Sequence, residues 1–116
     1  MFVGHVEKIP VLEVNNPGAA LNVIKQVLVG PDQGWQGWVM RLFSIKGEGY
    51  TPRHAHPWPH INYVVSGKGT LFLDGREHEI EAGSVAYVPD NIEHQFKNTG
   101  PADLTFICIV PEEGDK

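Results

Sequence analysis

His54, His56 and His60 place three imidazoles within seven residues of a chain that holds six histidines in all. Neutral imidazole is the commonest side-chain ligand for divalent transition metals. The spacing decides which backbone could make these residues a metal site. Residues two apart share a face on a strand but point to nearly opposite sides of a helix, so His54 and His56 converge only on extended chain. His56 and His60 would be neighbours on a helix, but Pro57 and Pro59 forbid one. On straight chain His60 would lie roughly 20 Å from His54, at about 3.3 Å per residue. A shared ion therefore requires a reversal at Pro57-Trp58-Pro59, with His60 opening the antiparallel neighbour and facing back toward the pair. His94 adds a fourth imidazole from a separate element, the alternating stretch Ile92-Glu93-His94-Gln95-Phe96 after the Pro89 turn.

The elements that must carry these residues read as short strands. Extended runs are expected at residues 9–14, 21–29, 36–45, 50–56, 60–66, 70–73, 76–81, 83–88, 92–98 and 104–110. Turns separate them at Asn15-Asn16-Pro17-Gly18, at the loop 30–34, at Lys46-Gly47-Glu48-Gly49 and at Pro89-Asp90-Asn91. Asp74-Gly75 between two such runs is the strongest hairpin signal in the chain. Residues 19–29 have a helix-compatible period, but Val23, Ile24, Val27 and Val29 are β-branched and favour a strand. Nine or ten short strands at regular spacing indicate an all-β sandwich or barrel.

Composition agrees. Gly and Pro number 13 and 9 among 116 residues, about 19% against a usual total of about 12%. That excess argues for many turns and against a helical bundle. A net charge of −5 opposes attraction to phosphate backbones, so no nucleic-acid partner is expected. The single Cys108 excludes an intrachain disulfide framework. The segment 1–8 shows no secretory pattern and no run approaches the length of a membrane span, so a cytoplasmic protein with a small-molecule ligand and no membrane partner is expected. No Ser-His-Asp arrangement, phosphate-binding glycine loop or Cys-x-x-Cys pair competes with the histidines.

The pattern Gly49, His54-x-His56-x3-His60-x6-Gly67, followed by Gly83-x5-Pro89-x-Asn91-x2-His94-x3-Asn98, resembles the two signature motifs of the cupin superfamily. The match covers about half the chain, and the fifteen-residue spacer 68–82 is short in the manner of small bacterial cupins. There are three departures: His60 stands where the motif has Glu, Asn91 replaces a turn glycine, and Gly49 is one residue nearer the His pair. Asn tolerates the left-handed conformation that a turn Gly adopts. His60 makes the site similar to the four-histidine subgroup, some members of which bind manganese.

The resemblance implies one all-β cupin domain over 1–116, a double-stranded β-helix or jelly-roll barrel. It divides into N-terminal strands 1–35, a conserved barrel at about 36–111, and an acidic tail 112–116 expected to fray. It also implies a homodimer and one divalent ion on His54, His56, His60 and His94, with Mn favoured and Fe, Ni, Zn or Cu open.

Four neutral ligands leave the ion its full charge, and an octahedral ion keeps two open positions, which suit Lewis-acid or oxygen-activating chemistry. A metal-dependent oxidoreductase of dioxygenase type on a small organic substrate is the leading expectation. Metal-dependent binding or sensing without turnover, and an isomerase or lyase, are the alternatives. Phe96, Phe106, Cys108 and Val110 are expected to wall the pocket, on faces shared along the last strands. Cys108 could approach the metal, and Arg41 could anchor a carboxylate or point to solvent. Trp35, Trp38 and Trp58 are expected in core or interface, His5 and His78 at the surface, and Asn98 in a turn rather than as a ligand.

Overall fold

The computed structural model describes residues 1–14, 16 and 18–115. Nine strands appear among them: β1 (Leu12–Glu13), β2 (Leu21–Val29), β3 (Trp38–Tyr50), β4 (His60–Ser66), β5 (Lys68–Leu73), β6 (Arg76–Glu81), β7 (Val85–Val88), β8 (His94–Asn98) and β9 (Leu104–Pro111). The described residues contain three short 3-10 turns and no α-helix, so the fold is all-β as expected. One antiparallel sheet runs β6-β5-β8-β3-β9-β4-β7, with β2 on β3 and β1 on β2. No helix of the described chain is long and apolar enough to cross a membrane.

Register explains how the sheet builds an interior. On β3, Arg41 faces Cys108 of β9, Phe43 faces Phe106 and Ile45 faces Leu104. On β4, Asn62 and Val64 face the same Cys108 and Phe106. Strand β5 sets Leu71 opposite Phe96 and Leu73 opposite His94. Period-two alternation sends one face of β4 and β9 inward, and β9 shows it cleanly: Leu104, Phe106, Cys108 and Val110 are buried while their alternates are not. The inner wall changes character along its length. Ile45, Leu104 and Val64 form an apolar floor, and polar Asn62, His60 and His94 lie buried beyond it. The outer face of β4 and β7 carries exposed Ile61, Tyr63, Val85 and Tyr87.

Several expectations change. The break expected at Lys46–Gly49 is a bulge inside one continuous strand, because Glu48 takes a left-handed φ of 61° and the β2 register slips between Leu21 and Val23. The first expected strand shrinks to Leu12–Glu13, behind a 3-10 turn at Val6–Lys8. The turn at Asn15-Asn16-Pro17-Gly18 falls partly outside the described residues, at Asn15 and Pro17; beside it the Ala19 and Ala20 amides donate to the Asn16 carbonyl. The tail does not fray over its described part. It forms a turn at Glu112–Asp115, tied down by an Asp115–Lys25 ion pair of 3.1 Å. Trp35 and Trp38 are exposed, at 38% and 46%, which removes the core half of the expectation and leaves the interface half standing.

Candidate metal centre

Three local devices bring the histidines together. The first is backbone pairing: His54 and His94 form an isolated antiparallel bridge, each amide donating to the other's carbonyl at 3.1 and 2.9 Å. Cross-strand neighbours project side chains to one face, and the two rings stand 4.8 Å apart. The second is the Pro89-Asp90-Asn91 turn. Asn91 adopts the left-handed conformation expected of it, with φ of 62°, and its amide donates to the His56 carbonyl at 2.7 Å. The third is the Pro57-Trp58-Pro59 reversal, which works differently from expectation. Strand β4 pairs with β7 and β9, not with the segment carrying His54 and His56. Prolines fix φ near −65° and cannot supply the positive φ of a two-residue hairpin. The partly exposed segment 57–59 therefore leads into a strand with other partners, and His60 reaches the cluster from β4.

His54, His56 and His94 each present a ring nitrogen within 4.8 Å of the others, close enough for one ion. His60 lies beside them, its Nε2 3.3 Å from the Nε2 of His94 and its ring 5.4 Å from that of His56.

The second nitrogens fix the tautomers. His56 Nδ1 lies 2.9 Å from the Trp58 carbonyl and His94 Nδ1 lies 2.8 Å from the Ile92 carbonyl. A carbonyl can only accept, so each Nδ1 carries the proton and donates. His60 Nδ1 donates to Asn62 Oδ1 at 2.7 Å, and the Asn62 amide group is turned that way by its own donation to the Ile107 carbonyl. Three Nε2 atoms are left as bare lone pairs. Burial pushes His60 down to about 3, partly offset by the bond to Asn62 and reinforced by His94, His56 and Arg41. Loss of solvent around its ring, then His94, His56 and Arg41, lower His54 to about 4. His94 is lowered by burial, against the bond to Ile92. These three rings are neutral near pH 7, the form that binds a metal. Donors oriented through Nδ1 with Nε2 free suit a divalent ion by type, tautomer and position.

A cavity of about 420 Å³ opens over the cluster, a size typical of small-molecule sites. Phe96 and Phe106 line it, stacked at 4.1 Å, and Phe43 extends the stack at 5.4 Å from Phe106. Cys108 lines it too, buried, with Arg41 Nη2 donating to its Sγ at 3.0 Å. Burial raises the Cys108 thiol above its ordinary value, against the pull of Arg41. Arg41 points inward, not to solvent. Val110 faces inward but does not line the cavity; it is fully buried beneath Gly114, where an added Cβ would strike it. Trp58 lines the mouth and stacks on His56 at 4.7 Å. His5 and His78 are exposed, and Asn98 is the last residue of β8 rather than a turn residue, its side chain bonded to Ile45, Ala102 and Gly100.

Sequence reasoning missed Asn62, Lys25 and Phe43. Asn62 was detectable as the residue two beyond His60 on the same face of a strand.

The model of the cupin domain family matches residues 41–110, more than half of the chain. The chain belongs to the cupin family. Among curated relatives, this cupin is 38% identical over 119 residues to auxin-binding protein 1 of Arabidopsis thaliana, covering 94% of this chain and 58% of that protein. It is 32% identical over 50 residues to an oxalate-binding protein of Thermotoga maritima, covering 43% of this chain and 41% of that one. The cupin therefore spans about half the length of these relatives. Among solved structures, the polyketide cyclase RemF of Streptomyces resistomycificus superposes with a TM-score of 0.88 at 27% identity, over 96% of this chain and 79% of that one. The jelly-roll cupin fold expected from the motifs is thereby shown.

Proposed function

We propose that this cupin holds one divalent metal on His54, His56, His60 and His94 and uses it on a small, flat organic anion, in a metal-dependent oxidation of dioxygenase type. The observation that carries this reading is the three free Nε2 lone pairs opening into a cavity walled by stacked Phe43, Phe96 and Phe106. Manganese is the metal the motif resemblance favours. When bound, the ion supplies Lewis acidity and open coordination positions.

The chain's own residues do the rest. The phenyl stack takes the planar body of a ligand, and burying each aromatic contact favours binding by an apolar term. Lys25 and Arg41 on the same wall carry two positive charges against the one negative charge of Asp115, and the net positive balance favours anions. The names of two relatives point the same way, since one is called auxin-binding and the other oxalate-binding, and both ligands are small organic acids. No Asp or Glu is among the described residues that line the cavity, and the neighbouring Asp115 carboxylate is paired with Lys25 and Arg41, so proton transfer by a protein carboxylate is not part of the reading. The same lack of a carboxylate base favours a second reading, ligand binding without turnover.

Oxygen uptake separates them. Metal-loaded protein is assayed against small catechols, diols, diketones and aromatic acids, beside His60→Ala. Uptake lost in the variant supports oxidation at this site. Uptake unchanged by the variant removes the enzymatic reading, and ligand binding without uptake establishes the second.

A further inference from the structure

Two cations stand on the inner wall of the cavity, Lys25 from β2 and Arg41 from β3, with side chains only 20% and 12% exposed. Cations removed from water to that extent require a facing anion. Asp115 supplies it. Its Oδ1 lies 3.1 Å from Lys25 Nζ and 3.6 Å from Arg41 Nη1. The carboxylate arrives on the turn Glu112–Asp115, whose residues are none of them buried. The same turn lays Gly114 against the Trp58 indole, at the mouth of the cavity and beside His56.

The fit of Asp115 is incomplete. One oxygen serves both cations, and 3.6 Å is too long for a hydrogen bond to the guanidinium. Arg41 Nη2 is spent on the Cys108 sulfur, a weak acceptor. Arg41 Nε is buried and has no hydrogen-bond partner among the described residues. A guanidinium normally binds a carboxylate through two parallel N–H bonds, and here it makes none. A tethered side chain cannot reach the geometry that a free carboxylate could.

We propose that Lys25 and Arg41 form an anion subsite for the carboxylate of a small organic acid, and that Asp115 fills it as an internal surrogate until the ligand displaces it. One carboxylate then replaces another, so the largely shielded cations stay compensated throughout. Displacement releases the Glu112–Asp115 turn from the mouth, and the ligand gates its own entry. The subsite rests on the reading that the cavity takes an organic anion, but it does not require the metal.

The test uses phenylacetate and its neutral analogue phenylacetamide as probes, by calorimetry, once in EDTA and once with Mn2+. In EDTA, phenylacetate binds and phenylacetamide does not. Asp115→Asn removes the competing carboxylate and tightens phenylacetate about tenfold, as expected when a self-occupied site is vacated. Arg41→Gln and, should that variant fold poorly, Lys25→Gln each weaken it by at least tenfold. Hydrogen exchange on the unmodified protein needs no variant: amides at Glu112–Asp115 exchange faster with phenylacetate and unchanged with phenylacetamide. Phenylacetate bound only when Mn2+ is present would overturn the subsite while leaving the metal reading intact. Equal affinity in Asp115→Asn, or unchanged exchange at the turn, would overturn it as well. Binding in EDTA supports the subsite whether or not Mn2+ changes the affinity.

Discussion

The Nε2 atoms of His60 and His94 lie 3.3 Å apart, and each ring has already committed its Nδ1 proton elsewhere. Neutral rings so oriented have no proton to share between them, so two lone pairs face one another. A cation placed in that gap turns repulsion into ligation. Protonation could do the same, but the depressed values of both rings oppose it near neutral pH.

Removing either ring should therefore remove the metal. His94→Ala also takes away a member of the three-nitrogen cluster, so its loss of Mn2+ affinity is expected to exceed about 100-fold by calorimetric titration. His60→Ala should lose at least about tenfold. Unchanged binding in His94→Ala would place the ion elsewhere.

Asn62 never touches the ion in this account, yet it holds the His60 tautomer through its Oδ1. Asn62→Ala should lower metal affinity by about 10- to 100-fold. Asn62→Asp keeps an acceptor for the Nδ1 proton and should retain more affinity than the alanine variant. If both variants bind as tightly as the parent, Asn62 does not orient the ligand.

Asn98 separates folding from metal binding. Its buried amide bonds to the Ile45 and Ala102 carbonyls at 2.8 and 2.9 Å, and its oxygen accepts from the Gly100 amide at 2.9 Å. Asn98→Ala leaves those groups without partners and should cost about 2–3 kcal/mol in urea unfolding. Metal stoichiometry in the surviving folded fraction should not change.

Acid should destabilise the metal-free protein. His54 and His60 titrate at about 4 and about 3 when folded, against 6.5 for the free side chain, chiefly because burial disfavours the charged ring. As pH falls through 6.5 the unfolded chain takes up protons that the folded chain refuses. Stability from these rings is thus fully present above about pH 6.5 and declines toward pH 3. Melting temperature in EDTA should fall between pH 7 and pH 4, and His60→Gln should flatten that slope. A flat profile in the parent protein would contradict it.

Much of the scaffold was legible because local signals and the fold agree. The run at residues 60–66 became β4 with the same bounds, and Asp74-Gly75 closes its hairpin with φ values of 49° and 84°, a turn that needs two positive angles. The histidines were legible because their spacing excludes a helix, but the strand expected at 50–56 is reduced to the end of β3 at Tyr50 and the isolated bridge at His54. What escaped reading depends on tertiary placement. Glu48 continues a strand that composition would break, since a bulge tolerates what a regular ladder does not. Asp115 sits in an acidic stretch that reads as solvated, and only the curl of the sheet brings Lys25 and Arg41 to meet it. The route of His60 was misread for the same reason. Prolines announce a reversal, but the wall it leads to is set by pairing with β9.

The most direct measurement is an anomalous-difference map from a crystal soaked in Mn2+. One peak within bonding distance of ring nitrogens of His54, His56, His60 and His94 together is the predicted result. No peak in the cavity, or a peak that leaves His60 and His94 both unbound, would contradict it.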